Sequence, residues 1–336
     1  MKAVAFTNSL PIDDIHSLTD TEVPTPTATG RDILVEVKAI SVNPVDYKIR
    51  QNMPPIDGQA KILGWDASGV IIEIGQDVEN YQVGDLVYYA GDLTRPGSNA
   101  QYQLVDERIV GMKPANLSFA ESAALPLTSI TAWELLFEHL QLGNVDTDRP
   151  ILLVTGAAGG VGSILIQLAK QLTNAIIIAT ASRDTTQAWV ESLGADHVIN
   201  HHHDIKQQLL DIGINEVTHV AGLNATESYF STFVDLLVPF GKIAIIDDPK
   251  NIDIGLIKRK SLSFHWEFMF ARSMFKAKDM CEQSVLLNKI ATLVEEEKVR
   301  TTLTQTLGTI NAINLRKAHQ LLEAGQAQGK IVLAGF

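Results

Sequence analysis

Residues 151–162, Ile-Leu-Leu-Val-Thr-Gly-Ala-Ala-Gly-Gly-Val-Gly, constrain the fold of this chain more than any other stretch. The uncharged apolar run 151–154 reads as a strand buried on both faces. Four glycines follow, Gly156, Gly159, Gly160 and Gly162; residues 163–170 then place apolar side chains at helical spacing, and a second apolar run occupies 175–179. Strand, glycine turn, helix and strand make the βαβ unit whose helix N-terminus receives the pyrophosphate of a dinucleotide. Glycines alone would be weak evidence, because tight turns also need them. The flanking strand and helix supply the context the motif demands. Ala157 stands at the first position of the G-x-G-x-x-G fingerprint, a mild departure, since alanine can still make the turn. The candidate cradle is Gly156, Ala157, Gly159, Gly160, Val161 and Gly162.

The next strand indicates which dinucleotide. In NAD-specific folds an acid about twenty residues beyond the glycines binds the ribose 2′-hydroxyl. Here the strand ends Ala179-Thr180-Ala181-Ser182-Arg183, with no acid at that place. Ser182 and Arg183 offer a hydroxyl and a guanidinium to a 2′-phosphate instead, so the cofactor expected is NADPH. The plain alternative is that Arg183 is a solvated residue opening the next helix.

A chain of 336 residues is long for one core and suggests two domains. The net charge of -12 argues against nucleic acid or an anionic membrane as partner, because such surfaces require clustered Lys and Arg. The single cysteine, Cys281, excludes an internal disulfide framework and fits a reducing compartment. Residues 1–6 turn polar too quickly for a signal peptide, and no apolar run reaches membrane-spanning length. The expectation is a cytoplasmic protein.

Residues 1–126 lean towards strands and proline-punctuated loops, with no periodic helix of consequence. From 127 to 270 strands alternate with helices. The strands are expected at 151–155, 175–181, 197–199, 217–221 and 240–246, with an aromatic-rich last strand over 261–270. Helices are expected at 161–172, 184–193, 204–211 and 225–237, preceded by one over 128–140. That alternation predicts a doubly wound parallel sheet, an α/β fold. The elements of 271–336 most simply complete the first domain, which makes the nucleotide domain an insertion.

The segments 41–50 (Ser-Val-Asn-Pro-Val-Asp-Tyr-Lys-Ile-Arg), 64–70 (Gly-Trp-Asp-Ala-Ser-Gly-Val), 83–87, Leu125-Pro126-Leu127 with Thr131-Ala132, the glycine stretch, 194–200 and 329–333 occur in an order that is specific as a set. By them the chain resembles the medium-chain dehydrogenase/reductase superfamily, in its zinc-independent quinone oxidoreductase branch, many of whose members are labelled zinc-type alcohol dehydrogenase-like. The resemblance implies a GroES-like β-barrel catalytic domain, a Rossmann NADP-binding domain, and NAD(P)H-dependent hydride transfer in the cleft between them. It also implies a homodimer paired along the edge of the Rossmann sheet.

A catalytic zinc needs about three ligands from Cys, His and carboxylate. The positions matching the Cys, His and Cys of the zinc-dependent relatives hold Asn43, Trp65 and Leu127, and the place of the family's glutamate is taken by Asp66. One carboxylate cannot hold the ion. The four-cysteine structural lobe is also missing, since 90–102 contains no Cys, and His201-His202-His203 reads as a polar loop after a strand. No metal is expected. Zinc ordinarily lowers the cost of removing an alcohol's proton. Without it, reduction of a quinone, enone or enal is the easier chemistry, needing a donor near the developing oxyanion and an aligned cofactor.

By the resemblance, Asn43, Tyr47, Lys48 and Arg50 lie on the segment approaching the nicotinamide. Quinone reductases often place a tyrosine where this chain has Lys48, so the proton donor stays open between Lys48 and Tyr47, with barrel packing or solvation as their plain alternatives. Trp65 is expected to wall the substrate pocket or to be an ordinary core residue. Phe264, Trp266, Phe268 and Phe270 would share one face of the last strand, with Phe268 and Phe270 as substrate contacts. Thr131, His201, Asn224 and Lys330 are further cofactor candidates by position. Two alternatives remain open: a zinc-binding alcohol dehydrogenase, and a non-catalytic NADPH-binding sensor or structural protein.

Overall fold

The computed structural model describes residues 1–144 and 149–336, which divide into two compact units, Met1–Ile130 with Phe270–Phe336, and Thr131–Met269. The division at 130/131 falls within the helix Pro126–Trp133. Among the described residues no helix is long and apolar enough to cross a membrane.

The second unit follows from its apolar runs. Ile151–Thr155, Ile176–Thr180, His197–Ile199, Val217–Gly222, Leu237–Ile245 and Ser263–Trp266 form one parallel sheet. Numbered one to six along the chain, these strands lie side by side in the order 3-2-1-4-5-6. Ile177 sits beside Leu152, and Val220 beside Leu153. Leu153, Ile178, Val220 and Ile243 are buried, with Phe230 and Phe233 among the side chains packed into the same core. The β-branched residues suit a two-sided buried pleat, where their restricted rotamers lose little on packing. Helices Gly160–Leu172, Asp184–Ser192, Ile205–Asp211 and Thr226–Leu236 make the crossovers. The strand order reverses beside Ile151–Thr155, and in such sheets ligands bind at the carboxyl ends of the strands at that point.

Two expectations about this unit need correction. The aromatic strand spans only Ser263–Trp266, and the chain then turns into the short helix Ala271–Met274. Phe264 and Trp266 do meet edge to face at 4.9 Å, whereas Phe268 and Phe270 lie beyond the strand and share no face with them. Aromatic alternation continues past the point where parallel pairing with Leu237–Ile245 stops at Trp266. The helix expected over 128–140 is α-helical only to Trp133. Glu134–His139 then widens to a π-helical stretch, in which the Leu140 amide reaches back to the Leu135 carbonyl.

In the first unit the strand Asp32–Ser41 is central. It pairs antiparallel with Ala67–Ile74, Tyr102–Asp106 and Lys330–Ala334. Leu303–Thr306 adds to the far side of Lys330–Ala334, so tail strands and N-terminal strands form one sheet. The Ser41 hydroxyl and the Val42 amide both donate to the Ile331 carbonyl, at 2.9 and 3.1 Å, which ties the end of the central strand to the closing strand.

This unit also holds a helix that the sequence reading did not anticipate, Pro44–Asn52. Asn43 is extended (φ −133°, ψ 158°), Pro44 occupies the first turn where its missing N–H costs nothing, and the Asp46 carboxylate accepts the Asn43 amide at 2.6 Å.

Candidate active site

At the end of Ile151–Thr155 the chain enters the left-handed region at Gly156 (φ +64°). A side chain there would press on Asn224 Oδ1 at 2.9 Å. Gly159 precedes the helix Gly160–Leu172, and the Gly159 amide donates to the Gly156 carbonyl at 3.0 Å. A Cβ at Gly162 would overlap the Ala157 carbonyl, so the helix packs on the turn only because that atom is missing. Ala157 itself is fully buried. The free amides and the positive dipole end of this helix suit a diphosphate, and the side-chain-free turn lets one approach. The residues present fit a dinucleotide.

The other cofactor candidates of the second unit fall as follows. Ser182 is half-buried and Arg183 exposed, just past the strand Ile176–Thr180. Arg183 opens the helix Asp184–Ser192, its carbonyl accepting the Thr186 hydroxyl at 2.8 Å. His201 follows the strand His197–Ile199, with its ring 4.5 Å from that of His202; burial, then His202, holds its pKa below the usual histidine value. Asn224 is exposed beyond Val217–Gly222, and the next residue, Ala225, has φ +52°, strain that a non-glycine residue bears only where its surroundings impose it. Thr131 is buried.

The first unit contributes a closed polar network. Asn43, Asp46, Asp66 and Lys330 are all buried. The Lys330 ammonium donates to Val42 O at 3.0 Å, to Asp66 Oδ2 at 2.9 Å and to Asn43 Oδ1. Asn43 Nδ2 donates to Asp66 Oδ2 at 2.9 Å and to the Trp65 carbonyl at 3.4 Å. The Leu127 amide donates to Asp66 Oδ1 at 2.8 Å. Burial pushes both carboxyl groups up, Asp46 to about 7, against the lowering effect of the Asn43 amide on Asp46 and of Lys330 on both. Lys330 thus directs its donors at three acceptors of its own unit, and the Asn43 amide turns both of its ends inward. Asp46 was not singled out from the sequence. Its signal was the Asn-Pro-x-Asp spacing of a helix start.

Trp65 is fully buried, donates its indole N–H to Asp92 O at 3.2 Å, and stands edge-on to Phe270 with ring centres 6.4 Å apart. Phe270 is buried, whereas Phe268 is half exposed. Tyr47 and Lys48 are half-buried on the helix Pro44–Asn52. Arg50, on the same helix, is not at a substrate surface. It is wholly buried, bonded to His319 Nδ1 at 3.4 Å, to Glu323 and to the Leu10 carbonyl. Burial, then Arg50, lowers the His319 pKa from 6.5 to about 3. The unfolded chain therefore binds the extra proton between those values, and folding stability is lost as pH falls from about 6.5 towards about 3. Asp46 acts oppositely, its stabilising protonated form being lost as pH rises from 3.8 to about 7. His319→Gln is expected to flatten the acid-side loss, which denaturant midpoints compared at neutral and mildly acid pH will show.

The donor set does not fit zinc. Asn43, Trp65 and Leu127 contribute an amide, a buried indole and an isobutyl group, and the nearby carboxylate is already paired with an ammonium that would repel a dication. Among the described residues no three His, Cys, Asp or Glu side chains are grouped so as to hold a metal ion.

Residues 29–133 match the family described as alcohol dehydrogenase GroES-like domain, and residues 193–333 match the zinc-binding dehydrogenase family. The zinc-type alcohol dehydrogenase-like protein of Staphylococcus epidermidis (strain ATCC 12228 / FDA PCI 1200) is 38% identical over 336 residues, 99% of each chain. The chain belongs to the medium-chain dehydrogenase/reductase superfamily. Among solved members, a Rhizobium etli CFN 42 protein described as a zinc-dependent alcohol dehydrogenase is 50% identical, with a TM-score of 0.97 over 100% of this chain and 98% of that one. The quinone oxidoreductase of Coxiella burnetii is 28% identical, with a TM-score of 0.81 over 100% and 99%. This medium-chain dehydrogenase/reductase is an oxidoreductase with a GroES-like sheet domain and a Rossmann-type NAD(P)-binding domain. Its residues at the metal-ligand positions place it in the zinc-independent, quinone-oxidoreductase-like branch.

Proposed function

We propose that the protein is an NADPH-dependent reductase that delivers hydride to quinones or to α,β-unsaturated carbonyls, enones and enals, without zinc. The observation that carries this reading is the Asn43–Asp66–Lys330 network, in which Asn43, at a position that matches a zinc ligand of the relatives, is engaged by a buried ion pair. An alcohol gives up hydride readily only once its hydroxyl proton is lost, a cost that zinc lowers. A conjugated acceptor takes hydride at carbon while charge grows on oxygen, and one donor near that oxygen suffices. Bound NADPH supplies the hydride. The name of the Coxiella burnetii relative supports a quinone as acceptor.

The chain's residues supply the remainder. Gly156, Ala157, Gly159, Gly160, Val161 and Gly162 cradle the pyrophosphate. Thr131, His201 and Asn224 flank the cofactor. Tyr47 or Lys48 donates to the developing oxyanion, while Trp65 and Phe270 give the substrate side its buried aromatic wall and Phe268 an exposed one. Ser182 and Arg183 receive the 2′-phosphate. A charge-assisted contact of that kind contributes about 1.5–3 kcal/mol, so Arg183→Ala is expected to cut the preference for NADPH over NADH roughly tenfold to hundredfold. Titrating both cofactors into the variant checks this, and NADH affinity should stay put.

We also infer a homodimer paired along Ser263–Trp266. That strand is the edge of its sheet among the described residues, and its last residue, Trp266, is 54% exposed. Trp266→Glu is expected to convert a dimer to monomers in light scattering; a parent protein that runs as a monomer would end the inference.

The deciding experiment is NADPH oxidation screened across quinones, enals, enones and saturated aldehydes. The reading expects loss of NADPH absorbance above the uncatalysed rate with the first three classes. Turnover confined to saturated aldehydes, or tight NADPH binding with no turnover, counts against it.

A further inference from the structure

Lys330 is the first residue of the closing strand, and its ammonium is enclosed by Val42 O, Asn43 Oδ1 and Asp66 Oδ2. An apolar side chain of similar volume could fill the space without the desolvation cost that a buried ion pair carries, so packing alone does not call for a charge. What the charge does is fix an orientation. An ammonium has only donors, so the Asn43 amide must turn its oxygen to Lys330 and its nitrogen to Asp66, as observed. Asn43 is also the extended residue from which the helix Pro44–Asn52 springs, its backbone N–H donating to the Asp46 carboxylate at 2.6 Å. Tyr47 and Lys48 follow Asp46 directly on that helix. A second tie is the Leu127 amide donating to Asp66 Oδ1, so two of the three positions that match metal ligands in the zinc-dependent relatives, Asn43 and Leu127, bond directly to this pair, and the third, Trp65, accepts from Asn43 Nδ2 through its carbonyl.

We propose that Lys330 is a positioning residue: a fixed internal cation that locks Asn43 and the first turn of the helix Pro44–Asn52, and so sets where Tyr47 and Lys48 present their donors. The kinetic half of this proposal rests on the reductase reading above; the geometric half does not.

The test compares Lys330→Arg with the double variant Asp66→Asn/Lys330→Met, which removes both charges together and so leaves neither buried alone. Each is measured for NADPH affinity, for kcat and KM with a quinone and an enone, and by crystallography. The double variant is expected to fold and to bind NADPH as the parent does. Its kcat should fall about tenfold to hundredfold, the loss expected when donors are misplaced by on the order of 1 Å, and its Asn43 amide and first helical turn should be displaced by that order. Lys330→Arg, which keeps a cation, should retain most of the kcat. Unchanged kcat with an unmoved helix in the double variant overturns the proposal, and so does a loss confined to NADPH affinity, which would make Lys330 a cofactor contact. If the parent turns over no acceptor, the reductase reading fails separately, and the position of Asn43 and the helix in the double variant still decides the geometric claim.

Discussion

Replacing Lys330 alone by methionine is expected to cost about 3–5 kcal/mol of folding stability, the usual penalty for leaving a buried charge without its partner. Asp66 has no exposed surface, and its Oδ2 accepts from only Lys330 and the Asn43 amide among the hydrogen bonds described. With the ammonium gone, the carboxylate must be protonated to stay buried. Its pKa is raised already by burial and would rise further. The sign of the pH dependence follows. A carboxyl whose folded pKa exceeds its unfolded value stabilises the fold while protonated, so the deficit of Lys330→Met should shrink as pH falls and widen as pH rises. Adding Asp66→Asn should recover much of the loss, because it removes the charge that was stranded. Denaturant unfolding of the single and double variants at two pH values checks both the size and the sign.

Gly162→Ala should abolish most cofactor binding. The added Cβ would overlap the carbonyl of Ala157, which is backbone and cannot swing aside. Either the helix Gly160–Leu172 moves away from the turn or the turn distorts, and both displace the amides proposed to receive the diphosphate. Overpacking of this kind costs about 1–3 kcal/mol, so NADPH affinity is expected to drop roughly tenfold to hundredfold. Gly143→Ala is the matched control, since among the described residues a Cβ there meets only Phe137 Cδ1, at 3.8 Å. Fluorescence titration of NADPH into both variants measures the difference.

The parallel sheet was legible because strands buried on both faces are written as unbroken apolar runs, and the glycine turn because backbone approach leaves no alternative residue. Buried charge leaves no such local trace. Lys330 is separated from Asp66 by 264 residues and Arg50 from His319 by 269, and nothing near either position in the chain announces the pairing. Arg50, expected only to lie on the segment approaching the nicotinamide, is a buried tie between the helix Pro44–Asn52 and the helix Ala312–Glu323. The helix Pro44–Asn52 was missed for a related reason. It is short and rich in charge, with an apolar stripe too brief to register, and only its capping residues mark where it starts. The aromatic strand was overextended because alternation describes side chains, whereas a strand ends where pairing ends.

Reduction of a conjugated acceptor by NADPH, as proposed, requires no metal. The direct measurement is the rate of NADPH oxidation with a quinone or enone before and after exhaustive chelation, with zinc content determined on the same preparation. An unchanged rate is expected from protein carrying far less than one zinc per chain. A rate that is lost on chelation and restored by stoichiometric zinc would contradict it.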